Sequence, residues 1–285
     1  SQLLGWLFIA FYTINPLILL HTRRAMSEGP LVFFIILFLW IIIKHQKYWP
    51  LSAIVLALAI NTKYSAAPLI LVILFMLLLK IIRKIDNWRN VLSISIGSMT
   101  IIIFVTFLLN PVLWANPLKS TNAAIIARTN LLTNQVDDLH KVAPERVLDS
   151  YGDRSIAVIG NLYFSPLAFY DYGNYSEQTK QSEILYLTNP LYSFFRNRTG
   201  GVLLFFFSLM GVGLSLLEIK KYRDGHPNAW MIIFIGFLCE ITFFLVSVPL
   251  PYQRYIIPLL PFVIFWEAVG IYSLLRIMRK SVFKT

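Results

Sequence analysis

The sequence predicts an all-α integral membrane protein, a polytopic helical bundle of about eight spans with one large outer loop. Three observations carry that reading. Of 285 residues, 57% are hydrophobic and only 14% charged, with mean hydropathy +0.67, whereas a soluble domain carries roughly a quarter charged residues. The apolar residues fall in blocks, several of them as long as a bilayer crossing. The Lys and Arg are shared unevenly between alternate connections, and that asymmetry orients the blocks. Aromatic residues at 15% suit the two wet interfaces of such a protein. A net charge of +11 would point a soluble protein toward nucleic acid; here the cations belong to membrane-flanking connections, and no nucleic acid is expected. The single cysteine, Cys239, excludes an internal disulfide and a Cys-based zinc or iron–sulfur site.

The blocks are 3–20, 30–43, 51–60, 66–79, 91–109, 202–217, 229–248 and 256–275. The first begins almost at Ser1, with no charged leader and no cleavage site before it, so the chain reads as one whose N-terminal part lies upstream. Connections 44–49, 80–90 and 218–228 and the tail 276–285 hold 13 Lys and Arg, against four (Arg23, Arg24, Lys63, Arg254) on the alternate short connections. Cation-rich short loops stay in the cytoplasm, which places both termini inside and 110–201 outside. The whole chain, 1–285, is read as one transmembrane domain with 110–201 as an extracytoplasmic loop within it. Block 51–60 is short for an upright crossing, since a helix rises only about 1.5 Å per residue against a core of about 30 Å. Fusing 51–79 into one helix would put the Lys80–Arg89 cations outside. Two helices meeting at a break around Asn61-Thr62-Lys63 are therefore expected, and interrupted helices at membrane depth line cavities or binding sites.

The outer loop carries helical signals of its own. Ser120-Thr121-Asn122 offer caps, and Ile125, Leu132, Val136 and Leu139 then recur at helical spacing, which predicts an amphipathic helix in the interface. A second candidate runs over Ile156–Tyr170, interrupted by Pro166. Tyr172-Gly173-Asn174 reads as a turn.

The four cations on the short outer connections have no topogenic reason to be there. Together with Glu28 they bring three connections, distant in sequence, to one membrane level. Such a cluster suits an anionic ligand such as a lipid phosphate; snorkelling to headgroups is the alternative for any one of them. Glu28, close to Arg23 and Arg24, is expected to be engaged by their guanidinium groups.

The stretches His21–Phe34 (HTRRAMSEGPLVFF), Ala59–Pro68 (AINTKYSAAP), Asn110–Pro117 (NPVLWANP) and Pro251–Pro261 (PYQRYIIPLLP) resemble, in this order, signature regions of glycosyltransferase family 39. That family includes protein O-mannosyltransferases and is similar to bacterial lipid A aminoarabinose transferases. Tyr163–Leu191 also looks like its bacterial or archaeal members. The resemblance covers nearly the whole chain. It implies a membrane glycosyltransferase of the C fold that takes a sugar from a polyprenyl-phosphate donor and transfers it, on the extracytoplasmic side, to a protein, lipid or cell-wall acceptor. By resemblance, Lys63 matches the lysine that holds the donor phosphate, Arg254 and Tyr255 the arginine–tyrosine pair of the last matched span, and Glu28 a site-shaping acid. Arg23 and Arg24 are expected to join the phosphate site, and Trp114 reads either as an interface anchor or as a wall of the sugar pocket. The family's favoured base lies in a first outer loop, which this chain, read as missing its first spans, lacks. No cofactor is expected. No D-x-D or E-x-D pair occurs, so no metal is expected, and Asp137-Asp138 read as a solvated helix end.

Glu240 and Glu267 lie within spans, where a carboxylate is costly and marks a functional position or a bonded core group. Asn174-Tyr175-Ser176 and Asn197-Arg198-Thr199 match the glycosylation pattern. His21 sits close to the cations. Trp49, Trp88 and Trp230 read as interface anchors. Two rival readings stay open: a transporter or flippase of anionic lipids, which also uses broken helices, and a non-catalytic membrane subunit of the same fold.

Overall fold

The computed structural model describes residues 1–22, 27–169, 176–221 and 228–282. All regular structure among them is helical, and each of the eight apolar blocks becomes helix. Five helical segments are long and apolar enough to cross a membrane: Tyr64–Ile82, Trp88–Leu109, Arg198–Lys221, Ala229–Ser247 and Ile257–Arg279.

The first block departs from expectation. It is two helices, α1 (Gln2–Ile14) and α2 (Pro16–Thr22), bent by 59°; counted as one, the pair makes a sixth candidate crossing. Pro16 holds the residue before it in extended backbone, and Asn15 has ψ 121°. The Asn15 side chain then accepts from the amides of Leu17 and Ile18 and starts α2. Hydropathy runs unbroken across this joint, so it was read as one segment.

Next come α3 (Glu28–Lys44), α4 (Trp49–Thr62), α5 (Ile70–Ile82) and α6 (Trp88–Leu109). The chain breaks at Lys63, which is extended (φ −159°, ψ 123°), and goes on as a tight 3-10 segment, Tyr64–Leu69. Two local causes act there. Thr62 and Asn61 turn back onto the carbonyls of Leu58 and Ala57. Pro68 would clash with the carbonyl four residues earlier in a continued α-helix. The break reverses the chain. Glu28 at the start of α3 meets Lys63 at the end of α4, and Asn61 there meets Thr106 and Asn110 at the end of α6. At the opposite end His45, Trp49, Ser52, Met76, Lys80 and Ile94 share one small cavity. Thus α3 and α5 run one way and α4 and α6 the other.

The described part of the 110–201 stretch is mostly helix. α7 (Pro117–Val142) starts earlier than Ser120, because Asn116 caps it ahead of Pro117 at the first position. α8 (Tyr151–Ile159) starts at a reciprocal cap between Ser150 and Asp153, and one wide turn, Gly160–Phe164, prolongs it to Ser165. α9 (Ser176–Thr188) and α10 (Pro190–Phe195) were not foreseen. The Tyr172-Gly173-Asn174 turn lies outside the described residues.

Finally α11 (Arg198–Lys221), α12 (Ala229–Ser247) and α13 (Leu260–Val282) complete the chain. The segment Ile257–Arg279 is mostly buried. Gly211 on α11 lies against the Trp266 backbone and Gly270 on α13 against that of Phe207. Small residues allow such backbone contact between membrane helices. One apolar core joins α3–α6 to Ile232, Phe262 and Trp266. A second joins α2, the Val158–Leu167 stretch and Ile256–Ile264.

Candidate functional site

The Lys63 break, the start of α3 and the Tyr252–Tyr255 turn converge. Lys63 Nζ donates to Glu28 Oε1 at 2.7 Å and more weakly to the Arg254 carbonyl at 3.5 Å. Both charged groups are sheltered, with side-chain exposure of 16% for Lys63 and 4% for Glu28. The Tyr255 ring lies 5.5 Å from the ammonium, and the Arg254 guanidinium stands 5.4 Å from the Tyr255 ring and 5.5 Å from that of Tyr252. Glu28 is therefore held by an ammonium, where the sequence suggested guanidinium partners; Arg23 and Arg24 lie outside the described residues.

Beside this cluster opens a cavity of about 700 Å³ between the ends of α4 and α6 and the face of α7. Its polar lining includes Asn61, Lys63, Asn110, Thr121, Arg128 and Thr129. Arg128 was missed by sequence reasoning. Its Nε donates to the Tyr64 hydroxyl at 2.7 Å, its guanidinium stands 5.1 Å from the Tyr64 ring, and it also interacts with Tyr255. A signal existed: Arg128 falls on the same helical face as Ile125 and Leu132, where a cation has to be accounted for. Asn110 donates to Asn61 and to the Thr106 carbonyl, so the polar floor of the cavity is fixed by bonds between two helices. Cations, amides and hydroxyls around a concave wall suit a ligand with a phosphate and hydroxyl groups.

Trp114 is exposed and donates to the Phe107 carbonyl at 2.8 Å; its neighbour Leu113 is the one that lines the cavity.

The loop before Arg254 is clamped by residues of the 110–201 stretch. Gln253 is buried, accepts from the Ala168 amide at 2.8 Å and donates to the Pro166 carbonyl at 2.7 Å. Asn161 donates to the Pro251 carbonyl, and Leu148 to that of Pro249. Arg154 reaches the carbonyls of Leu245 and Val246 at the end of α12. Arg196 donates to the carbonyls of Leu162 and Asn161, and burial pushes its guanidinium down to about 10. Tyr163 donates to Ser208, and burial, then the nearby Glu267 charge, hold its phenol well above the usual range. On this side His21, Glu145, Arg146 and Glu183 help to line a second cavity, of about 520 Å³.

The remaining sequence candidates are placed as follows. Glu240 is buried on α12 beside Lys63, and Glu267 is buried on α13. Asp138 pairs with Lys141 on exposed helix. Asn197 accepts from the Gly200 amide, and Asn174 lies outside the described residues. No group of three or more His, Cys, Asp and Glu that could hold a metal occurs among the described residues.

Comparison of the chain with protein-family models, with curated proteins and with solved structures finds no match.

Proposed function

We propose that the chain is the membrane-embedded part of a glycosyltransferase that takes a sugar from a polyprenyl-phosphate donor on the extracytoplasmic side and passes it to a protein, lipid or cell-wall acceptor. The observation that carries the reading is the cavity at the Lys63 break, walled by Lys63 and Arg128 with a hydroxyl- and amide-rich floor. In this reading the donor phosphate, which gains charge as the sugar leaves, lies against Arg128, Lys63 and Arg254, and its developing charge is stabilised there. The Tyr255 ring lies within cation–π reach of both Lys63 and Arg254. Glu28 shapes the site by holding Lys63; a carboxylate already bonded to an ammonium is a poor base. Arg23 and Arg24 add cations on the same connection, and Trp114 offers an aromatic face near the rim. The fold would be the glycosyltransferase C type with eight crossings, the two shortest being α3 and α4. The test is binding of a radiolabelled polyprenyl-phosphate sugar to the chain in lipid nanodiscs, then transfer to a membrane acceptor. Competition by polyprenyl phosphate and none by neutral polyprenol is expected; equal competition by the two defeats the reading.

The bend at Asn15 favours one second reading, a transporter of anionic lipids, since it adds another interrupted segment to the one at Lys63. Proteoliposomes separate the two: movement of donor lipid between leaflets without sugar transfer selects the transporter.

A further inference from the structure

Lys63 and Tyr64 also line a small cavity of about 20 Å³, walled otherwise by Ser65, Glu240, Tyr255 and apolar side chains. Two of its wall groups are stranded. Glu240 is 3% exposed and its Oε1 has no hydrogen-bond partner among the described residues; the same holds for Ser65 Oγ. A buried polar atom without a partner is costly, so two around one cavity require an account. Lys63 supplies a third group. Its ammonium has three N–H donors, and the hydrogen bonds to Glu28 and to the Arg254 carbonyl use two.

We propose that this cavity is a site for one ordered water, through which Glu240 acts as a positioning residue for the Lys63 ammonium. The volume holds one water, and a buried water needs two to four polar partners. The valences close: the water accepts from the free Lys63 N–H, donates one hydrogen to Glu240 Oε1 and the other to Ser65 Oγ. The ammonium is then held from two sides, by Glu28 directly and by Glu240 through the water, and cannot swing along its flexible stem. Glu240 thereby gains a reason to sit within an apolar helix, where carboxylates are otherwise costly. The inference stands whether or not the ligand at Lys63 is a lipid phosphate.

Infrared difference spectra of the chain in nanodiscs test it. Subtracting Glu240→Gln from the parent isolates the Glu240 carboxyl band. Ser65→Ala, which removes one holder of the water, is expected to shift that band, as is Lys63→Arg, while Ser52→Ala at the far end of α4 leaves it in place. A Glu240 band unmoved by Ser65→Ala overturns the proposal. Should Glu240→Gln not fold, a high-resolution map of the parent and of Ser65→Val decides: a peak within hydrogen-bonding reach of all three groups in the parent, lost when methyls fill its place, is expected, and a parent map without it overturns the proposal.

Discussion

Lys63 Nζ lies 2.7 Å from Glu28 Oε1, joining the start of α3 to the end of α4 across 35 residues of sequence. Because both groups are sheltered, removing one leaves the other's charge buried. Lys63→Met is expected to lower stability by about 3–5 kcal/mol, the range for breaking a buried pair. The double variant Glu28→Gln/Lys63→Met should recover most of that loss, since no charge is left stranded. Denaturant unfolding of the purified chain reads the cycle; losses that simply add would mean the pair does not couple.

Arg128 is the cation of the large cavity that is bonded to a tyrosine rather than to a carboxylate. Arg128→Gln is therefore expected to weaken binding of polyprenyl phosphate by about 1.5–3 kcal/mol, the worth of a hydrogen bond to a charged group, with unfolding little changed. Tyr64→Phe, which removes the hydroxyl that orients the guanidinium, should do the same to a smaller degree. Equilibrium binding measures both, and unaltered affinity in Arg128→Gln would move the phosphate elsewhere.

The sidedness expected from the charge pattern can be tested by labelling. In a chain whose Cys239 is replaced, cysteines at Gln46, Asn87 and Asn228 should resist an impermeant thiol reagent added outside, and one at Asn134, exposed on α7, should react. Outside labelling at Asn87 would contradict the orientation expected from the charge pattern.

Asp153 reports on the start of α8. Its carboxylate accepts from the Ser150 hydroxyl and amide, and these bonds hold its pKa below the ordinary aspartate value. A depressed folded value means a contribution present above the unfolded pKa and lost as pH falls through the folded one. The cap should thus loosen only under acid. Carbon-13 titration of Asp153 should give a midpoint below that of free aspartate, returning toward it in Ser150→Ala; an unchanged midpoint would remove the hydroxyl as the cause.

The helical segments were legible because hydropathy blocks and charge asymmetry are properties of short windows. The break at Lys63 was legible too, from its polar run and the short block before it. The joint at Asn15-Pro16 was written just as openly, yet continuous hydropathy hid it, since an apolar segment stays apolar whether it is straight or bent. α9 and α10 escaped because Ser176–Thr188 carries almost no apolar periodicity and Pro190–Phe195 is a short piece set by the Asn189 cap. At the site, Lys63, Glu28 and Arg254 could be gathered from topology alone. That Glu28 takes the lysine, and that Glu240 lines a cavity with Lys63 from another helix, depends on packing between distant segments, which no local window contains.

The bonds that clamp the outer loop also set a timetable for synthesis. Arg154 to Leu245, Asn161 to Pro251 and Gln253 to Pro166 each join residues 87 to 91 positions apart, and the later partner in every case is at or beyond the end of α12. While α11 and α12 are still being made, the carbonyls and the amide side chain that α8 and its following turn require do not yet exist outside the ribosome. The 110–201 stretch must therefore wait, unlatched, until the last apolar helices arrive. A nascent chain arrested before Leu245 should be nicked by protease across 148–168, and one that includes α13 should resist, so the site is completed from its C-terminal end.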